Sequence, residues 1–135
     1  MAKKASGPAV LIVDDEESVL RFVGTLVEEE GYQTLKAASL EEGEKLLGKK
    51  FALALLDITL PDGSGLVLAK KIKKKNPDLP VVIMTGFPGG GNVRESLDVE
   101  PDAYLLKPVA PAILLSLLKR LVARKIQREQ ERAED

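Results

Sequence analysis

Phe51-Ala52-Leu53-Ala54-Leu55-Leu56-Asp57 is the stretch that decides the fold. Six apolar residues closed by a carboxylate read as a strand buried on both faces, with an acid at its C-terminal end. An earlier run, Val10-Leu11-Ile12-Val13, stops the same way on Asp14 and Asp15. Ionised groups resist desolvation, so acids at the ends of successive buried strands are costly unless something binds them. If the two strands lie side by side, three carboxylates converge. A divalent cation and an incoming phosphoryl group give such a cluster a purpose.

Working outward, apolar strand runs alternate with helical spacing. Residues 9–13 form a β-branched run between Pro8 and Asp14. Residues 17–30 place Val19, Leu20, Phe22, Val23, Leu26 and Val27 on one broad helical face, and Gly31 is the expected C-cap. Residues 32–37 read as a weaker strand. Ser39 followed by Glu42 has capping-box spacing and starts a helix with Leu40, Leu46 and Leu47 turned inward. After residues 51–56, Pro61-Asp-Gly-Ser-Gly65 is a turn into a helix over 66–75. A fourth strand covers 79–84 and ends at Thr85-Gly86, a fifth covers 103–106, and a last helix begins near Ala110.

This alternation predicts βαβ units and a parallel sheet covered by helices on both faces. Five short strands suit an open doubly wound sheet; a closed eight-stranded barrel needs about 250 residues.

Two segments fit the pattern less well. Pro88-Gly89-Gly90-Gly91 occupies the place of a fourth helix, so a loop or a short helix over 93–97 is expected there. No Lys-Ser/Thr pair follows these glycines, which argues against a phosphate loop. Residues 124–135 are almost wholly charged, and Lys125–Glu129 has i,i+4 spacing. They read as a solvated helix extension or a linker stub. The expected organisation is a disordered extension over 1–8, one domain over 9–123 and the charged tail over 124–135.

Composition narrows the chemistry. At 135 residues the chain supports one core. Lys+Arg of 20 against Asp+Glu of 21 leaves no global basic footprint for nucleic acid. With neither cysteine nor histidine, thiolate and imidazole chemistry is excluded, leaving carboxylate, hydroxyl and lysine. No segment resembles a signal peptide or a membrane span, and a cytoplasmic protein is the expectation.

In an open parallel sheet, ligands sit at the C-terminal strand ends. Asp14 and Asp15, Asp57, Thr85 and Lys107 all fall at such ends. An Asp57 carboxylate is a competent nucleophile toward phosphorus. Asp15 and Asp57, with Asp14 and one backbone carbonyl, offer Mg²⁺ hard oxygen ligands. Lys107 would pair with Asp57 at rest and with a phosphoryl oxygen afterwards, and the Thr85 hydroxyl would donate to another.

Val13-Asp14-Asp15-Glu16, Leu56-Asp57-Ile-Thr-Leu-Pro-Asp-Gly-Ser-Gly65, Thr85-Gly86 and Lys107-Pro108 together resemble the receiver domain of bacterial two-component response regulators. The resemblance implies a flavodoxin-like fold with strand order 2-1-3-4-5. It implies Asp57 as acceptor of a phosphoryl group from a sensor histidine kinase or phosphotransfer protein. Asp14 and Asp15 match the acidic pair that binds Mg²⁺, and Thr59 the residue whose backbone carbonyl completes the metal sphere. Thr85 matches the switch hydroxyl, Tyr104 the switch aromatic, and Lys107 the lysine whose bond to Pro108 is cis.

By the same resemblance, phosphorylation remodels the face of the fourth helix, fifth strand and fifth helix for protein contacts, including a homodimer through the last helix. Such a domain is not a classical enzyme, although it catalyses its own phosphorylation and dephosphorylation. No DNA-binding domain follows Leu121, so no direct nucleic acid binding is expected of a stand-alone receiver or one excised from a larger regulator. Two other readings are an aspartyl-phosphate hydrolase and a phosphorylation-independent interaction module. The hydrolase reading lacks a second aspartate two residues beyond Asp57, where Thr59 stands. The intact carboxylate set and Lys107 argue against the bare interaction module.

Overall fold

The computed structural model describes residues 6–86 and 99–134. The glycine-rich segment 89–91 and the short helix expected over 93–97 lie outside the described residues. Strands β1 (Ala9–Val13), β2 (Gln33–Ala37), β3 (Leu53–Asp57), β6 (Val81–Thr85) and β7 (Ala103–Leu106) form one sheet in the order β2-β1-β3-β6-β7. Every pairing in that sheet is parallel. This is the doubly wound, flavodoxin-like topology expected, with order reversal between β1 and β3. Thr59–Leu60 (β4) and Gly63–Ser64 (β5) close a small antiparallel hairpin where the sequence reads as a turn.

Successive residues of a strand point to opposite faces, and here both faces are apolar. On one face Leu11, Val13, Ala54, Leu56, Val81 and Ile83 pack under α2 (Leu40–Leu46) and α3 (Leu66–Lys75). On the other, Val10, Ile12, Leu53, Leu55, Val82 and Met84 pack under α1 (Glu17–Glu29) and α4 (Pro111–Glu134). Each fully buried Leu, Ile or Val contributes about 1.5–3 kcal/mol, which is why the runs tolerate no polar residue until their ends.

Helix ends follow local chemistry. Gly31 adopts φ 96 and its N–H donates to Glu28 O (2.9 Å), ending α1 in the left-handed conformation that glycine permits. Ser39 Oγ accepts from Glu42 N–H (3.1 Å), while the Glu42 carboxylate takes the N–H of Ala38. Phe22 departs from the expected apolar face and is 46% exposed. It sits one helical step, about 100°, from buried Val23, which leaves it at the rim of the stripe.

The chain is tied down earlier than the sequence suggests. Gly7 N–H donates to Gly31 O (2.8 Å) and Gln33 N–H to Pro8 O (3.1 Å), within the span read as a disordered extension. At the other end α4 runs unbroken through the charged tail to Glu134. Its basic residues reach back: Arg124 pairs with Asp102, and Arg132 Nε lies 2.9 Å from Asp78 Oδ2. Among the described residues, no helix is long and apolar enough to cross a membrane.

Candidate functional site

The parallel order brings the acidic strand ends together. Val13 pairs with Leu56, so Asp14, Asp15 and Asp57 emerge side by side at the same sheet edge. One carboxylate oxygen from each lies within 4.8 Å of the others. Asp14 is fully buried, Asp57 is buried and Asp15 is exposed. Lys107 arrives from the end of β7, with its backbone N–H donating to Thr85 O (2.9 Å) across the neighbouring strand end.

The Lys107 ammonium is shared. Its Nζ stands 2.7 Å from Asp14 Oδ2, 3.2 Å from Asp57 Oδ2 and 3.5 Å from Glu16 Oε1. At rest the lysine is therefore closer to Asp14 than to Asp57, the partner expected from the sequence. Asp14 Oδ1 accepts from Glu16 N–H (2.9 Å). Asp14 Oδ2 is buried and faces the ammonium as an ion pair, without a hydrogen bond of good angle. The carboxylate oxygens that Lys107 does not occupy leave hard ligands free at this edge. The three-carboxylate cluster is able to hold a divalent metal.

Electrostatics agree with crowding. Burial, and then the Asp14 charge, push the Asp57 carboxyl above the ordinary carboxylate value, against the lowering influence of Lys107 and of the Thr59 N–H. Burial disfavours the Lys107 charge, but Asp14 and Asp57 outweigh it and hold its pKa above the usual lysine value.

Thr85 and Thr59 stand near the carboxylates, whereas Tyr104 sits further back along β7, paired with Ile83. Thr85 is buried at the end of β6, one position past Met84, which pairs with Asp57. Thr59 donates its N–H to Asp57 Oδ1 (3.4 Å). Tyr104 lies on edge strand β7, half-exposed. The Lys107–Pro108 peptide is cis.

Two contributors escaped the sequence. Glu16 joins the lysine, and its position after two aspartates gave no sign of that. Gly65 is the second: a Cβ there would stand 1.9 Å from Asp57 O, and its N–H donates to Ile58 O (2.7 Å). The loop after Asp57 folds so tightly over the strand end that only glycine fits.

The sequence profile described as the response regulator receiver domain matches residues 10–119. The chain belongs to that family. This receiver domain resembles a CheY-like receiver domain protein from Methanospirillum hungatei, with a TM-score of 0.84 and 35% identity over 91% of this chain and 99% of the other. A beryllofluoride-activated NtrC4 receiver domain dimer gives 0.77 at 30% identity, covering 87% and 98%. The phosphate regulon transcriptional regulatory protein PhoB of Pseudomonas aeruginosa is 32% identical over 121 residues, 87% of this chain and 53% of PhoB. The receiver domain thus spans about half the length of the curated relatives it matches. Its Asp14, Asp15 and Asp57 cluster is the arrangement of a phosphotransfer signalling domain, which is not a classical enzyme but promotes phosphoryl transfer and hydrolysis at its own aspartate.

Proposed function

We propose that Asp57 accepts a phosphoryl group from the phosphohistidine of a sensor kinase or phosphotransfer protein. A carboxylate oxygen of Asp57 forms the new P–O bond as the P–N bond breaks, and the electron pair leaves on the imidazole nitrogen of the donor. The observation that carries this reading is the meeting of Asp57 with Asp14, Asp15 and Lys107 at one strand edge.

Asp14, Asp15, Asp57 and the Thr59 carbonyl are the residues that would hold Mg²⁺; when bound, the ion neutralises charge on the phosphoryl oxygens and the attacking carboxylate. Lys107 moves from its carboxylate partners to a phosphoryl oxygen. The Thr85 hydroxyl donates to another, drawing the end of β6 inward, and Tyr104 follows it. The surface of β7 and α4 is remodelled by this local charge event. Leu106 and Ile113, 54% and 57% exposed, give that surface apolar area for a partner or a second copy. The activated NtrC4 dimer supports the second-copy option. A donor of this kind supports a cytoplasmic location for the reaction.

Labelling with acetyl phosphate and Mg²⁺ tests the assignment. Asp57→Asn abolishes labelling, whereas Thr85→Ala is labelled but shows a reduced amide-shift response across β7 and α4. Equal labelling of wild type and Asp57→Asn overturns it.

A further inference from the structure

At the sheet edge opposite the carboxylates lies a cleft of about 1160 Å³. Ala9, Gln33, Ala52 and Leu79 place it at the N-terminal ends of four strands. Phe51, Ile72, Leu79 and Val122 are buried residues on its apolar floor, and half-exposed Ile126 forms a wall from the extension of α4. Lys49 and Lys50 enter from the loop after α2, Lys71 and Lys75 from α3, and Lys125 from α4. Glu129 is the one acid among the described lining residues. Lys71 already holds Glu44 at 3.0 Å and Lys125 holds Glu129. Lys49, Lys50 and Lys75 have no carboxylate partner among the described residues.

We propose that this cleft binds an amphipathic small-molecule anion, a carboxylate or phosphate monoester on an apolar chain. Its head meets Lys49, Lys50 and Lys75, and its chain lies against Phe51, Leu79 and Ile126. Concave, mostly apolar sites with a few convergent polar groups are the usual form of small-ligand pockets, typically about 300–1,000 Å³. At about 1160 Å³ this one is somewhat larger than that range, leaving room for a chain as well as a head group. Three like charges from two elements at the mouth of an apolar cleft raise the local concentration of an anion and gain from its neutralisation. The site shares no residue with the phosphoacceptor edge and does not depend on that reading.

Calorimetry and amide shifts with decanoate and decyl phosphate, below their micelle-forming concentrations, test it against decanol as the neutral control. Saturable shifts at residues 49–52, 71–79 and 122–129 are expected for at least one anion, and the preferred anion identifies the head group. Decanol binds at least about tenfold more weakly. The combined Lys49→Gln, Lys50→Gln and Lys75→Gln variant loses about tenfold in affinity, since it removes the three charges that meet the head group. Its thermal midpoint stays at the wild-type value, because these side chains are exposed. Ile126→Asp, on the facing wall, weakens the anion as well. Equal affinity for decanol, undiminished affinity in the triple variant, shifts confined to the carboxylate edge, or no saturable binding overturns the proposal.

Discussion

Lys107 and Asp14 are the tightest pair at the carboxylate edge, 2.7 Å apart, while Asp57 stands 3.2 Å from the same ammonium. The fully buried acid takes the larger share of the cation because it has no water to turn to. The Asp57 carboxylate is correspondingly less committed.

Removing Lys107 leaves two buried acids without their cation. Lys107→Ala is expected to cost about 3 kcal/mol at neutral pH. The penalty shrinks in acid as the carboxylates protonate. At the alkaline end the penalty shrinks as well: a lysine with a raised folded pKa stabilises below its unfolded pKa and loses that contribution as pH rises through the folded value. Wild type should therefore lose stability at high pH where the variant does not. Urea titrations across pH measure both limbs.

Asp57 has the opposite linkage from an ordinary paired acid. Its folded pKa is raised, so the protonated form is favoured by folding, and stability falls as pH climbs from the unfolded to the folded value. Asp57→Asn should accordingly raise the thermal midpoint at neutral pH by a few degrees, with the gain vanishing in acid. Adding Mg²⁺ should raise the wild-type midpoint more than that of the variant, because a ligand stabilises only what binds it. Calorimetric scans with and without Mg²⁺ check both statements.

Gly65→Ala drives a Cβ to 1.9 Å from Asp57 O. The backbone of the acceptor must move, because no flexible side chain is available to yield. A loss of about 2 kcal/mol in stability is expected, together with slower labelling of Asp57. Gly24→Ala is the control, since its new methyl meets the flexible end of Lys36.

Asp102 joins three elements. Its carboxylate accepts from Lys73 of α3 (2.6 Å), from the N–H of Val81 at the start of β6 (2.8 Å) and from Arg124 of α4. Burial alone would raise its pKa, but these donors outweigh it and hold the pKa below the ordinary aspartate value. Its contribution is present above the unfolded pKa and is lost as pH falls through the folded one. Asp102→Ala should cost about 2 kcal/mol at pH 7 and much less in strong acid, read from chemical denaturation. Faster hydrogen exchange in residues 124–132 should accompany it.

The sheet, the ends of its strands and the acids that stand there were written in the order of residues along the chain. Runs such as Leu53–Asp57 read as strands because they are short and alternate with helical spacing, and a strand buried on both faces tolerates no polar residue before its end. The Ser39 cap and the glycine at 31 were legible for the same local reason. Tertiary structure alone decided which acid Lys107 serves, the recruitment of Glu16, the crowding that requires glycine at 65, and the return of Arg124 and Arg132 to Asp102 and Asp78. Those contacts join residues from 8 positions apart (Asp57 and Gly65) to 93 (Asp14 and Lys107). Charge and side-chain reach allow many partners for each such group, and only the packed backbone selects among them.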